Sequence, residues 1–211
     1  MHARALSIGL IEMPESAPAD GDADNAIDVA LMKRVATGDE RAFRQLVERH
    51  QNAVVGTVAK MLNDATEAED IAQRAFLRVW KHAKRWRPEA KFTTYLFTIT
   101  RNLVYNESRR RSRRKEVSAD ERQDDSGFGA SGDPRHEPDS EALKTEMQEE
   151  IDAVIQRLPE AQRDAVILYA YESMPYEEIA KVLGTSVSSV KSLLFRARTT
   201  LRDKLSHHMG Y

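Results

Sequence analysis

The sequence predicts an all-α protein with two helical domains joined by a flexible acidic linker. Apolar residues recur at intervals of three and four over long stretches, whereas strand-like alternation never holds for more than a few residues. Between the two helical stretches, residues 116–140 are rich in Asp, Ser, Gly, Pro and Glu and contain one Phe and one Val. A segment of that composition cannot form a core, so we expect it to separate two domains.

Charge is strongly segregated along the chain, although the net charge is only -2. Residues 29–115 carry 20 basic and 9 acidic side chains, whereas residues 116–141 carry two basic and nine acidic ones. A basic domain followed by an acidic segment predicts an anionic partner for that domain. The chain has no cysteine, which excludes disulfides and thiolate metal sites. No apolar run approaches the ~20 residues that span a bilayer, so we expect a soluble, cytoplasmic protein.

The first domain, residues 29–115, is predicted to be a four-helix bundle. Residues 1–28 are rich in Ala, Asp, Pro and Gly without a sustained period, which indicates a disordered N-terminal extension. Gly38 is expected to end a short first helix, and a second helix continues to Leu62.

The third helix has the clearest amphipathic pattern in the chain. Thr66 stands three residues before Glu69, which is the capping-box spacing and predicts that the helix begins there. Pro88 then predicts a loop before the fourth helix. The outward positions of the third helix are Glu69, Asp70, Gln73, Arg74, Leu77 and Arg78.

The fourth helix is predicted over Phe92–Lys115 and ends in an arginine cluster. Six of the seven residues from Arg109 to Lys115 are basic. Such a cluster cannot be buried unpaired, and a helix C-terminus needs fewer cations to satisfy its dipole. We therefore expect it to contact a phosphate backbone.

The second domain, residues 141–205, contains a helix-turn-helix pattern and is followed by a short tail, residues 206–211. Gly184 lies where the turn requires a positive φ, and Ser186 can cap the second helix. Short polar donors, cations and one aromatic residue lie on the outward face of that helix, as a major-groove reader requires. These residues are Ser188, Ser189, Lys191, Ser192, Phe195 and Arg196.

The sequence offers no catalytic constellation. It has no phosphate-cradling glycine loop, no HExxH motif and no plausible triad, and its six histidines are scattered. We therefore expect no enzymatic activity, no cofactor and no metal site.

Three stretches together resemble the extracytoplasmic-function sigma factors of bacterial RNA polymerase. They are ATEAEDIAQRAFLRVWKH, the ITRN-containing fourth helix, and LPEAQRDAVILYAYESMPYEEIAKVLGTSVSSVKSLLFRARTTL. The resemblance covers about residues 29–205 and implies sigma region 2 and sigma region 4. The partners that it implies are core RNA polymerase, through its clamp and flap regions, and promoter DNA. An anti-sigma factor is a common further partner in that family, and no residue here identifies one.

The resemblance also implies roles for individual residues. Those implied to bind the clamp of core polymerase are Asp70, Gln73, Phe76 and Leu77. The residues expected to recognise and melt the minus-10 element are Lys91, Phe92, Thr93, Thr94, Tyr95, Arg101, Asn102, Arg109 and Arg110. Of these, Phe92 and Tyr95 are expected to stack on bases. Those implied to contact the minus-35 element are Arg163, Tyr176, Ser188, Ser189, Lys191, Ser192, Phe195, Arg196 and Arg198.

Two other functions are compatible with the sequence. A stand-alone helix-turn-helix regulator would bind duplex DNA tightly without polymerase, but it leaves the arginine cluster and the loop at residues 91–95 without a role. A sigma mimic that sequesters an anti-sigma factor should have lost the basic recognition face, yet Lys191, Arg196 and Arg198 are present.

Overall fold

The computed structural model describes residues 22–119 and 139–205. Within these ranges the chain forms helices and no strand, which confirms the predicted fold class. Most of the predicted linker, residues 120–138, and the tail after residue 205 lie outside the described residues. The helices are α1 (Asp22–Val35), α2 (Glu40–Leu62), α3 (Ala65–His82), α4 (Phe92–Ala119), α5 (Asp139–Gln156), α6 (Glu160–Ala170), α7 (Tyr176–Leu183) and α8 (Val187–Leu205), with a 3-10 turn at Ala83–Arg85.

Helix α1 begins at Asp22, seven residues before the predicted boundary at residue 29, and packs on α2. Asp28 is buried; its Oδ1 accepts a hydrogen bond from Arg49 Nε at 2.9 Å, and its Oδ2 lies 2.9 Å from His50 Nε2. Asn25 Oδ1 accepts a hydrogen bond from the backbone N–H of Phe92 at 2.9 Å. These contacts fix α1 to α2 and α4, and local sequence periodicity does not reveal them.

Aspartate side chains cap the two central helices of the first domain. Asp39 Oδ1 accepts hydrogen bonds from the backbone N–H groups of Arg41 and Ala42, in the first turn of α2. Asp64 does the same for α3, accepting from Thr66 N at 3.0 Å and Glu67 N at 3.2 Å. The predicted capping residue of α3, Thr66, is therefore wrong: it lies inside the helix, and Asn63 before the cap takes the left-handed conformation that ends α2.

The core of the first domain lies where α2, α3 and α4 meet. Phe92 belongs to this core: it is fully buried, and its ring centroid lies 5.2 Å from that of His50. The expectation that Phe92 stacks on bases is therefore wrong for this conformation, because its ring contacts protein on all sides. Other fully buried side chains of this core are Leu46, Val54, Val58, Ile71, Ala75, Val79 and Leu96.

The second domain has the predicted helix-turn-helix. Gly184 ends α7 with φ 65°, and the N–H of Thr185 donates to the carbonyl of Ala180 at 2.9 Å, so the turn between α7 and α8 takes only three residues. Ser186 caps α8 by accepting a hydrogen bond from Ser189 N at 3.2 Å, as predicted. The inward side of α8 is buried at Val190, Leu194, Ala197, Leu201 and Leu205.

The two domains pack against each other. Helix α7 lies along α4, and helices α5 and α6 lie against α2. We call this docking of α5–α8 onto α2 and α4 the closed arrangement. The sequence predicts two domains on a tether but contains no local signal for their contact.

We predict that Asp28→Asn lowers the free energy of unfolding by about 3 kcal/mol, because it leaves Arg49 and His50 beside a neutral group in a buried site. Chemical denaturation measures the change. The matched control is Asp24→Asn, since Asp24 also lies 3.1 Å from Arg49 but its side chain is 76% exposed. We expect the control to change stability by less than about 1 kcal/mol. Equal effects of both substitutions would show that burial of Asp28 contributes nothing.

Candidate nucleic-acid and polymerase interfaces

Two arginines of the cluster at the end of α4 form ion pairs with carboxylates of the first domain. Arg110 makes a two-pronged contact with the buried Glu107, with Nη2 to Oε1 at 2.7 Å and Nε to Oε1 at 3.0 Å. Arg111 reaches Asp64 at 2.8 Å and Glu67 at 3.3 Å, which fastens α4 to the start of α3. The guanidinium of Arg110, predicted to bind DNA, is thus engaged by a carboxylate here.

Asp64 therefore serves both as helix cap and as ion-pair partner. The backbone N–H of Glu67 and then the guanidinium of Arg111 hold the pKa of the Asp64 carboxyl below its ordinary value. The carboxylate is ionised at neutral pH, so Arg111 is a structural cation in this conformation.

Two arginines of α4, the half-buried Arg101 and the exposed Arg109, flank the ring of Tyr105. The guanidinium groups of Arg101 and Arg109 lie 5.3 Å and 5.7 Å from the ring centroid of Tyr105. Tyr105, Arg109 and the nearby Asn102 are exposed. Sequence reasoning did not assign Tyr105 to the site, although its position four residues from an arginine on either side was a readable signal.

The start of α4 is engaged by the second domain. Lys91 Nζ lies 3.2 Å from Glu178 Oε1, and Thr94 Oγ1 donates a hydrogen bond to Glu178 Oε2 at 3.1 Å. Thr93 is half-buried on the same interdomain cavity. Tyr95 is half-buried beside Trp86, with 6.4 Å between ring centroids, and this burial raises the pKa of its hydroxyl.

Arg101, in the middle of α4, also contacts the second domain. Its Nε lies 3.4 Å from Oδ2 of Asp164, a carboxylate that is only 2% exposed. Burial raises the pKa of Asp164 to about 6, and the positive charge of Arg101 opposes that rise. At neutral pH the carboxylate is therefore ionised and attracts the guanidinium.

A largely apolar groove of about 830 Å³ lies between α2 and α3. Three of the four predicted polymerase contacts line it. Leu77 is 52% exposed, Gln73 is exposed and Phe76 is buried at the floor. The fourth, Asp70, does not line the groove and lies 3.4 Å from Arg74 on the same helix. The α2 side of the groove is formed by Phe43, Val47, Gln51, Asn52, Val55 and Gly56.

The outer face of α8 is exposed as the sequence predicts. Phe195 is 67% exposed, and Lys191, Ser192 and Arg196 are exposed beside it. A solvent-exposed aromatic ring between two cations is more typical of a ligand-binding surface than of a surface that contacts only solvent. Ser188 is exposed and Ser189 half-buried, and both face Arg101 across a cleft.

The three predicted phosphate contacts outside this face differ in accessibility. Arg163 is half-buried and donates from Nη1 to the carbonyl of Gln156 at 3.3 Å. Tyr176 is largely buried against Tyr169, with ring centroids 5.6 Å apart. Tyr176 and Arg198 line a recess together with the cations of the α8 face.

Comparison with known proteins shows the family of the chain. The family models for Sigma-70 region 2 and Sigma-70, region 4 match residues 46–114 and 148–201. The RNA polymerase sigma-H factor of Pseudomonas aeruginosa is 34% identical over 181 residues, which cover 84% of this chain and 93% of the relative. The ECF RNA polymerase sigma-E factor of Haemophilus influenzae is 30% identical over 87% of this chain and 97% of its own length. The chain belongs to the extracytoplasmic-function (ECF) sigma factors.

Solved structures share the fold of this sigma factor. CnrH in complex with the cytosolic domain of CnrY superposes with a TM-score of 0.64, at 25% identity, over 86% of this chain and 98% of that one. RpoE of Bartonella quintana in complex with the anti-sigma factor NepR gives a TM-score of 0.62, at 23% identity, over 78% and 96%. Helices α2–α4 correspond to sigma region 2, and the end of α5 with α6–α8 to sigma region 4.

Across residues 22–119 and 139–205, no three His, Asp or Glu side chains cluster so as to hold a metal ion. Among the helices in those ranges, none combines the length and apolar character that crossing a bilayer requires.

The raised pKa of Asp164 predicts a pH-dependent stability. A raised carboxyl pKa favours the folded state fully below the ordinary value near 4, and that contribution is lost as the pH rises through about 6. Asp164→Asn removes this titration, so its free energy of unfolding relative to wild type should increase by about 3 kcal/mol from pH 4 to pH 7. Urea unfolding across this pH range measures the difference.

The control for this titration is Glu177→Gln, at an exposed position on α7. Its stability should run parallel to that of the wild type at every pH. If the curve for Asp164→Asn were also parallel to wild type, the Asp164 carboxyl would not have a raised pKa.

Proposed function

We propose that this alternative sigma factor binds core RNA polymerase through region 2 and directs promoter-specific initiation by reading minus-10 and minus-35 elements. It acts in the cytoplasm, as a non-catalytic specificity subunit that needs no cofactor. The observation that carries the proposal is the outer face of α8, on which Lys191, Ser192, Phe195 and Arg196 are exposed over a buried inner face. An anti-sigma factor, common in the family, is a further proposed partner.

Region 4 is proposed to hold the minus-35 element as duplex. The exposed side chains of α8 match the size and polarity of a major-groove reader: serine hydroxyls and cations that donate hydrogen bonds to base edges. The start of α8 adds backbone N–H groups that can contact a phosphate. Such contacts read DNA without opening it.

Region 2 is proposed to recognise and melt the minus-10 element. Opening a duplex costs a few kcal/mol for each unstacked base, and base stacking on aromatic rings offsets part of that cost. Because Phe92 is buried, the proposed stacking residue at the start of α4 is Tyr95, and Tyr105 between its two arginines is a further aromatic surface. The exposed Arg109 and Asn102 lie on the same helix and can hold the separated strand.

The polymerase is proposed to bind the groove between α2 and α3. An exposed apolar groove with a polar rim is typical of a protein interface. Leu77 is the strongest candidate for the central contact, because it is a large apolar side chain left half-exposed.

The experiment that tests the proposed function is a titration of the purified protein into core RNA polymerase. Run-off transcription from genomic fragments follows, beside a gel shift with the protein alone. We expect specific transcripts only when both are present and weak duplex binding by the free protein. Tight duplex binding without polymerase association would instead support a stand-alone regulator.

We predict that Leu77→Ala weakens binding to core polymerase about tenfold, because it removes an exposed apolar contact from the groove. Fluorescence anisotropy with labelled protein measures the affinity, and circular dichroism checks that the helices persist. Phe76→Ala is less informative because Phe76 is buried and its loss creates a cavity. Lys33→Ala, exposed on α1, is the control and should bind normally. An unchanged affinity for Leu77→Ala would place the polymerase elsewhere.

We predict that Arg196→Ala reduces transcription about tenfold from promoters that need the minus-35 element, since a lost base contact costs about 1–3 kcal/mol. Core binding should stay unchanged. The matched control is Arg202→Ala, which removes the same charge from an exposed position near the end of α8. A similar loss for both variants would indicate a general charge effect, and loss of core binding would indicate a structural role.

A further inference from the structure

We propose that Asp64 and Glu107 are positioning residues that hold Arg110 and Arg111 away from DNA phosphates and so limit sequence-independent binding of the free sigma factor to DNA. Each cation that contacts a phosphate raises the affinity for any DNA sequence. A protein with many such contacts is retained by the large excess of non-promoter sites in a genome. This inference rests on the proposed function, because it assigns a control to the candidate DNA surface of α4.

Accessibility does not separate Arg110 and Arg111 from DNA. Their side chains are 50% and 31% exposed, so a phosphate can approach both guanidinium groups. Each guanidinium is instead directed toward carboxylates of region 2. It must give up or share its hydrogen bonds to those carboxylates before it binds a phosphate with all its donors. The carboxylates therefore determine how many cations of the cluster DNA can use.

Glu107 binds Arg110 within α4 itself. Glu107 Oε1 accepts hydrogen bonds from Arg110 Nη2 at 2.7 Å and from Arg110 Nε at 3.0 Å. The Glu107 side chain is only 4% exposed, so little water screens the carboxylate. Its attraction for the guanidinium is therefore stronger than that of a carboxylate on the surface. Because Glu107 is packed in the core, it cannot follow Arg110 when the guanidinium turns toward DNA.

Asp64 binds Arg111 from the start of the neighbouring helix. One carboxylate oxygen, Oδ1, accepts hydrogen bonds from backbone N–H groups in the first turn of α3, and the other, Oδ2, lies 2.8 Å from Arg111 Nη2. The cap therefore fixes the carboxylate in the orientation that faces Arg111. Two more acidic groups surround this guanidinium, with Glu67 Oε1 at 3.3 Å from Nη2 and Glu107 Oε1 at 3.7 Å from Nε.

Neighbouring arginines of the cluster have different contacts. The guanidinium of Arg109 lies 5.7 Å from the ring centroid of Tyr105, and Arg113 Nε donates to the carbonyl of Arg109 at 3.4 Å. Both arginines are exposed. An aromatic ring or a backbone carbonyl does not neutralise a positive charge, whereas a carboxylate does. Arg109 and Arg113 therefore keep the charge that attracts a phosphate, and Arg110 and Arg111 have theirs balanced within region 2.

The first variant is Glu107→Gln, which keeps the size of the side chain and removes the charge that holds Arg110. The probe is a fluorescein-labelled, random-sequence DNA duplex, titrated with the free full-length protein between about 50 and about 200 mM KCl. We expect tighter binding, and a slope of log Kd against log[KCl] that increases by about 0.9, the effect of one added phosphate contact. The control is the same substitution in an Arg110→Gln background, where the slope should change by less than half as much because that guanidinium is absent.

The second variant is Asp64→Asn, which should keep the fold because asparagine caps a helix as well as aspartate does. Its side-chain NH2 group, in the place of Oδ2, presents donors to Arg111 and no longer holds that guanidinium. We expect the slope to increase by at least about 0.4, since Glu67 stays beside Arg111. The matched control is Asp39→Asn, because Asp39 also caps a helix and pairs with an arginine, Arg34 at 2.8 Å, outside α4. Its slope should equal that of the wild type.

Circular dichroism checks that each variant keeps its helices, and Asp64→Asn decides the question if Glu107→Gln does not. An unchanged slope for a folded variant would overturn the proposal. Weaker DNA binding would also overturn it, since the carboxylates would then orient the arginines toward phosphates. An equal increase for Asp39→Asn, or for Glu107→Gln in the Arg110→Gln background, would show that loss of any acidic charge has this effect, which contradicts the proposed hold on Arg110 and Arg111.

The outcomes for the two proposals are distinguishable, because these titrations contain no polymerase. If the proposed function were wrong, the wild type would give no specific transcripts with core polymerase, whatever the salt dependence of the variants. If only the control by Asp64 and Glu107 were wrong, the wild type would transcribe normally, and Glu107→Gln and Asp64→Asn would bind the duplex with the wild-type slope.

Discussion

Burial of one face of α4 is the constraint on which the rest of the structure depends. Phe92, Leu96 and Leu103 are buried against the helices of region 2, and each contributes roughly 1.5–3 kcal/mol. Because this face of α4 is buried, the 3.6-residue helical repeat determines the direction in which each of the other side chains of the helix points. Arg101 and Tyr105 therefore point away from the core, and the same helix supplies both a structural face and a candidate DNA surface.

The arginines of α4 show that neighbouring carboxylates determine which cations are available to bind DNA. Arg110 and Arg111 are engaged by carboxylates of region 2, whereas Arg109 is exposed beside Tyr105. A guanidinium bound to a partly buried carboxylate gives up that hydrogen bond when it moves to a phosphate. The number of arginines in the cluster therefore overstates the number available to DNA. The guanidinium groups outside these ion pairs, rather than the total charge, define the candidate surface.

Region 4 presents faces of opposite charge in this structure. Its outer face on α8 is open and cationic, while α6 and α7 present Asp164 and Glu178 to the cations of region 2. A tethered domain experiences an effective concentration in the millimolar range, so a few modest contacts suffice to hold it in place. The docked arrangement therefore leaves the cationic face of α8 exposed.

The sequence by itself determined the helical class, the helix-turn-helix with its Gly184 turn and Ser186 cap, and the outward face of α8. These features depend on periodicity and on residues a few positions apart, so a local pattern is sufficient. Only the tertiary structure decided that α1 begins at Asp22, that Phe92 is a core residue, and that Arg110 is engaged by Glu107. It also decided that the two domains meet. Each of these features depends on which groups pack against or bind one another in the folded protein. Most of the groups in contact are far apart in the sequence, so a local periodic pattern does not predict their contact.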